Sequence, residues 1–135
     1  MAGRAAAGAV VCFTGHVRGF AKDKSVNALE LDHYSGYTES EIAKIRDTAH
    51  RRWPGIESLI IHRYGRMIPG EPIVFVAVTS EHRQAVFEAA TYLMDHLKTS
   101  APFWKKEIRS DGTVWIEPTD ADYAAGQDRD NNAGD

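Results

Sequence analysis

The stretch Ile73–Leu97, IVFVAVTSEHRQAVFEAATYLMDHL, decides the fold. Ile73–Thr79 is apolar on both alternating faces, as a strand covered on two sides must be, and it predicts the central strand of a sheet. From residue 81 onward the period lengthens to that of a helix. Val86, Phe87, Ala90, Leu93, Met94 and Leu97 recur as one stripe, and Ser80 stands where a helix cap belongs. The spacing therefore predicts a helix over about 81–97, lying on the sheet that Ile73–Thr79 runs through.

On the N-terminal side, Gly8–Thr14 (GAVVCFT) is a β-branched apolar run that predicts a buried strand, with Cys12 as a small hydrophobe inside it. Phe20–Ser25 is polar and basic and predicts a mobile loop. Val26–Tyr34 alternates apolar and polar residues, with one slip at Ala28-Leu29, and predicts a half-exposed strand. Thr38-x-x-Glu41 has the form of a capping box. Ile42, Ile45, Ala49 and Trp53 then follow at helical spacing until Pro54-Gly55 stops them. Ile56–Tyr64 is a further strand; Gly65–Ile68 continues or bends it, and Pro69-Gly70 turns the chain.

Beyond Leu97, Thr99–Pro102 breaks the second helix. Phe103–Ile108 and Thr113–Glu117 read as strands joined by a hairpin turn at Ser110-Asp111-Gly112. The order ββα-ββα-ββ gives an α+β fold, two helices packed on a predominantly antiparallel sheet. Residues 1–117 form a single domain in this reading, and 118–135 form a flexible acidic tail poor in bulky apolar residues.

The composition bounds the function. With 135 residues, 43% of them apolar, the chain suits one globular domain with a real core. No apolar run is long enough for a bilayer span, and the apolar part of MAGRAAAGAVV is too short for a secretory leader, so the expected location is cytoplasmic and no membrane partner is expected. A single cysteine, Cys12, provides neither an internal disulfide nor a cysteine-based metal site, and His16, His33, His50, His62 and His96 show no metal-ligand spacing. Of the net charge of −3, the tail Glu117–Asp135 carries −5, which leaves +2 for residues 1–116. A mildly basic body suits a small anionic ligand better than a nucleic acid, which calls for a broad basic face.

Two clusters stand out. Ser80-Glu81-His82-Arg83 lies where the central strand hands over to the second helix. Free backbone N–H groups and the helix dipole favour an anion there, and His82 and Arg83 add donors. The same residues also suit a plain solvent-exposed first turn. The second cluster is Lys98, Lys105 and Lys106, set among Leu97, Phe103 and Trp104. A lysine at the edge of a core is usable for proton transfer. Residues 105 and 106 face opposite ways on a strand, so at most one of them can join Lys98. Arg18, between Gly15 and Gly19 at a strand end, fits either a functional loop or a solvated charge. His33 and His62 read as half-buried strand residues.

GAVVCFTGHVRG, HYSGYTESEI, RRWPGIESLIIHRYG, PGEPIVFVAVTSEHRQAVFEA and LMDHLKTSAPFWKKE, in this order and spacing, resemble the large, catalytic subunit of molybdopterin synthase over about residues 8–117. The resemblance implies an α/β-hammerhead-like fold and a sulfurtransferase of molybdenum cofactor biosynthesis. The family converts a cyclic pyranopterin monophosphate into molybdopterin by installing two dithiolene sulfurs. Sulfur comes from a thiocarboxylate on the C-terminal Gly-Gly of a small ubiquitin-like sulfur-carrier subunit, in a heterotetramer built on a homodimer of large subunits. No cofactor or metal is implied. Carried over by position, Lys98 is the acid/base candidate beside the partner's terminal glycine, and Lys105 is the second essential lysine. His82, Arg83 and Arg18 bind the phosphate and pterin, with Arg18 reaching across the dimer. The chain departs from the family in a short segment ahead of the first strand and in Pro118-Thr119, where relatives often carry an arginine. A degenerate relative that only binds the partner is the main rival reading, and the intact set of five residues opposes it.

Overall fold

The computed structural model describes residues 7–21, 24–33, 35–99 and 103–116. Among them the elements run β1 (Ala9–His16), β2 (Phe20–Ala21), β3 (Lys24–His33), α1 (Tyr37–Arg52), β4 (Glu57–His62), β5 (Gly65–Met67), β6 (Pro72–Ser80), α2 (Arg83–Thr99), β7 (Phe103–Arg109) and β8 (Gly112–Ile116). The predicted α+β class holds. β6 is the middle strand of a sheet ordered β1-β6-β4, antiparallel to both neighbours. Its Val74, Val76 and Val78 meet Ile45 and Ala49 of α1 and Val86, Ala89, Ala90, Leu93 and Leu97 of α2 in one core. Fully burying a side chain such as Leu93 stabilises the fold by about 1.5–3 kcal/mol. No helix of the described residues is long and apolar enough to cross a membrane.

The remaining strands form a second sheet, β2-β3-β7-β8, with β5 also paired to β3. Gly65, at φ 91°, turns the chain out of the first sheet into this one, so the apolar run that begins at Ile56 is split into β4 and β5. A smaller core of Val17, Leu29, Leu31 and Met67, with Ile73 against it, lies between the two sheets' elements.

Several expectations are corrected. Cys12 is exposed, not buried. Val74, Val76 and Val78 point to the helices, so the opposite face of β1-β6-β4 carries Val10 and Cys12 of β1 with Leu59 and Ile61 of β4, which lie outside the core that the two described helices form with the sheet. Phe20–Ser25 is not simply a loop, because Phe20-Ala21 pairs with Lys24-Ser25. The cap of α1 lies two residues earlier than Thr38: Gly36 is the N-cap and its N–H donates to the Glu39 carboxylate. Thr38 is buried, and Glu41 instead pairs with Lys44 at 3.0 Å. Phe87 is 61% exposed because the buried stripe of α2 runs through Val86, Ala89, Ala90, Leu93 and Leu97, one face away. The acidic tail falls outside the described residues.

Candidate functional site

The start of α2 is set by a close backbone approach. The Gly8 N–H donates to the Ser80 carbonyl oxygen at 3.0 Å, and a Cβ on Gly8 would collide with the carbonyl oxygen of Glu81. Ser80 is thereby held as the last residue of β6, paired with Ala9, and not as the helix cap. The chain bends at Glu81-His82 and α2 opens at Arg83. His82 and Arg83 are both exposed, and the first turn carries no acidic residue to compete for its N–H groups. That end of α2 presents a cationic side chain beside N–H groups that have no partner within the helix.

Lys98 is exposed in the last turn of the same helix, where the dipole favours a cation. From Arg83 to Lys98 is fifteen residues, and at a rise of about 1.5 Å each the two ends stand roughly 22 Å apart. Lys105 and Lys106 are separated by the pleat of β7. Lys105 is opposite Leu31 of β3, and Lys106 is opposite Glu30. Cross-strand neighbours share a face, so Lys105 lies on the side of the small core that holds Leu31, with its own side chain exposed. Lys106 lies on the other side, 3.4 Å from the Glu30 carboxylate and 5.1 Å from the centre of the Trp115 ring.

Arg18 is exposed in the connection between β1 and β2, and its neighbours are pinned. The Val17 N–H donates to the Glu71 carbonyl oxygen at 2.9 Å, the Gly70 N–H to the Val17 carbonyl oxygen at 2.9 Å, and the Val26 N–H to the Gly19 carbonyl oxygen at 2.9 Å. Val17 belongs to the same small core as Leu31. Arg18, next to Val17, and Lys105, opposite Leu31, thus both adjoin one cluster, while His82 and Arg83 stand at the far end of α2 from Lys98.

A ring cluster adjoins Lys105. His62, the last residue of β4, stacks on Phe103 of β7 at 4.0 Å and 18°. His33 lies 4.0 Å from the Tyr64 ring and 6.5 Å from Phe103, with Glu39 at 3.5 Å. The His62 Nδ1–H donates to the Arg63 carbonyl oxygen at 2.9 Å. Burial pushes the His62 imidazole below its ordinary range; the Arg63 carbonyl acts in the opposite direction, and the charge of Lys105 adds to the lowering. His50, hydrogen-bonded to Ser58 at 2.7 Å, is lowered by burial and by Arg46. Half-burial of His33 and His62 was legible from the alternation of their strands. Their meeting at Phe103 was not, since His62 and Phe103 lie in different sheets.

A family model described as MoaE protein matches residues 1–100. The chain belongs to the MoaE family. It is 51% identical over 120 residues to the molybdopterin synthase catalytic subunit of Pseudomonas aeruginosa, covering 89% of this chain and 80% of that one. It superposes on the molybdopterin synthase structure from Staphylococcus aureus with a TM-score of 0.80 at 38% identity, covering 84% and 82% of the two chains. A protein–protein complex of subunits 1 and 2 of molybdopterin-converting factor from Helicobacter pylori shares the fold, with a TM-score of 0.68 at 21% identity over 82% and 72% of the chains. Membership in the MoaE family makes this chain a subunit of an enzyme of molybdenum cofactor biosynthesis.

Proposed function

We propose that the chain is the sulfurtransferase subunit of a molybdopterin synthase, acting on a cyclic pyranopterin monophosphate with a small sulfur-carrier subunit as the donor. The observation that carries this reading is the common origin of Lys105 and Arg18 on the core of Val17, Leu29, Leu31 and Met67. A cation that can stabilise developing negative charge and a cation that can reach an anionic substrate, on its own copy or across the dimer, start beside the same core.

In this reading the thiocarboxylate sulfur of the donor attacks an oxygen-bearing carbon of the substrate side chain, and the carbon–oxygen bond there breaks with the departing oxygen taking up a proton. A carbon–sulfur bond forms, and donor and substrate are joined through a thioester. Water then cleaves the acyl–sulfur bond, leaving the sulfur on the pterin and a carboxylate on the donor. Lys98 moves the protons, and Lys105 stabilises the developing negative charge. His82 and Arg83 hold the phosphate at the start of α2.

The separation of about 22 Å between the ends of α2 exceeds the reach of one small pterin phosphate. It supports an assembly on a homodimer, in which a second copy brings its His82-Arg83 end to the lysines of the first. The apolar face of β1-β6-β4 away from the two helices, with Val10 49%, Leu59 45% and Ile61 53% exposed, also favours a chain that works in company. Reconstitution with a thiocarboxylated small subunit and the pyranopterin substrate tests the reading, with dithiolene formation as the expected outcome.

A further inference from the structure

His62 has no part in the reaction as set out above, yet it occupies a particular position. It is the final residue of β4, at the rim of the first sheet, and its ring lies flat on Phe103, the first residue of β7 in the second sheet. Phe103 and Lys105 are two residues apart on β7 and so point to the same side. The stack therefore ties one sheet to the root of the strand that carries Lys105.

The imidazole is itself held. The donation from Nδ1 to the Arg63 carbonyl oxygen fixes the ring's rotation and its tautomer. The Arg63 side chain donates to the Pro72 carbonyl oxygen at 2.9 Å, which anchors the same turn to β6. His33 stands opposite Phe103 across β3 and β7, and the Tyr64 ring lies 4.0 Å from His33. Phe103 thus has a histidine of each sheet near its ring, His62 stacked at 4.0 Å and His33 tilted at 6.5 Å. An ammonium group that must meet a reacting atom needs its backbone fixed to within a fraction of an ångström, since a displacement near 1 Å can cost about 100-fold in rate. Lys105 is exposed, and the strand that carries it meets the first sheet through Phe103, two residues earlier. Burial favours the uncharged form of the His62 ring, which limits repulsion between the clamp and the neighbouring cation.

We infer that His62 is a positioning residue for Lys105: its ring clamps Phe103 and thereby aims the ammonium group two residues further along β7. The inference rests on the proposed role of Lys105. Its test uses the full chain and two variants, His62→Ala and His62→Phe. His62→Ala removes the clamp; His62→Phe keeps a flat ring against Phe103 and loses only the bond to Arg63.

In the reconstituted synthase, His62→Ala lowers kcat roughly 10-fold or more, with little change in KM for the pterin, and His62→Phe restores most of the loss. In parallel, the lysine ε-methylene proton–carbon NMR signals of the full chain, without substrate, report the side chains directly. The two ε protons of Lys105 are distinct in the wild type and in His62→Phe and merge in His62→Ala, whereas Lys106, held by Glu30 and Trp115 on the other face, is unchanged. General loosening of β7 would move both lysines and overturn the inference. So would wild-type kcat in His62→Ala, or a His62→Phe variant that folds but is as slow as His62→Ala. If Lys105→Ala turns over normally, the catalytic reading of Lys105 fails. The NMR comparison still shows whether His62 sets its side chain.

Discussion

Lys105 and Lys106 are adjacent on β7 and serve opposite faces of the second sheet: Lys105 stands across from Leu31 at the small core, and Lys106 is engaged by Glu30 and Trp115. Alanine at the three lysines should therefore give three different results. Lys98→Ala lowers turnover by about 100- to 10,000-fold, the range for a lost acid/base group. Lys105→Ala lowers it by about 100- to 1,000-fold, as for a lost oxyanion donor. Lys106→Ala leaves turnover near wild type and costs at most about 1 kcal/mol of stability. Single-turnover kinetics and denaturant melts on the three variants check this.

Arg83 opens α2 at the end away from Lys98. Arg83→Ala is expected to weaken binding of the pterin phosphate while leaving affinity for the small subunit unchanged. Calorimetric titration of each ligand separately reads the two effects. An equal loss in both affinities would contradict a dedicated anion role.

Gly8 has no contact with substrate in this account, yet Gly8→Ala should impair substrate binding. The added methyl collides with the Glu81 carbonyl, so the bend that sets His82 and Arg83 must move. Overpacking of this kind costs about 1–3 kcal/mol. A lowered thermal midpoint together with weakened pterin phosphate affinity is the expected pair of results. A variant with wild-type values for both would show that the bend is not held by Gly8.

The legibility of the fold was uneven for physical reasons. The core stripe of α1 and the middle position of β6 follow from local periodicity, which the chain carries in full. The exposure of Cys12 and Phe87 does not, because it depends on which sheet face the helices cover and on where the buried stripe of α2 falls. The division into two sheets hinges on Gly65, whose positive φ diverts a run that otherwise reads as one strand. At the site, alternation put Lys105 and Lys106 on opposite faces and the family resemblance singled out Lys105; the neighbours each face carries, Leu31 for one and Glu30 for the other, come only from the cross-strand register. The His62–Phe103 contact joins residues from separate sheets and leaves no pattern in the sequence.

Stability should fall as the solution is acidified below about pH 6.5, the ordinary histidine value. His50 and His62 are both pushed below that value in the fold, chiefly by burial. The unfolded chain then binds protons that the folded chain resists, so stability is full above the unfolded value and is lost as pH falls toward the folded ones. Thermal midpoints at pH 7.5 and pH 5.5 measure the loss. The double variant His50→Gln/His62→Gln should show a smaller difference between the two; an unchanged difference would remove both histidines from the account.

The most direct measurement of the central claim is product formation by the reconstituted enzyme. The full chain is combined with a thiocarboxylated small subunit and cyclic pyranopterin monophosphate, and the dithiolene is detected after oxidation to a fluorescent pterin. The account predicts stoichiometric transfer of sulfur from the small subunit with the wild-type chain and a rate about 100- to 10,000-fold lower with Lys98→Ala, although that variant still folds and binds the small subunit. Normal dithiolene formation by Lys98→Ala, or none by the wild-type chain with both ligands bound, would contradict it.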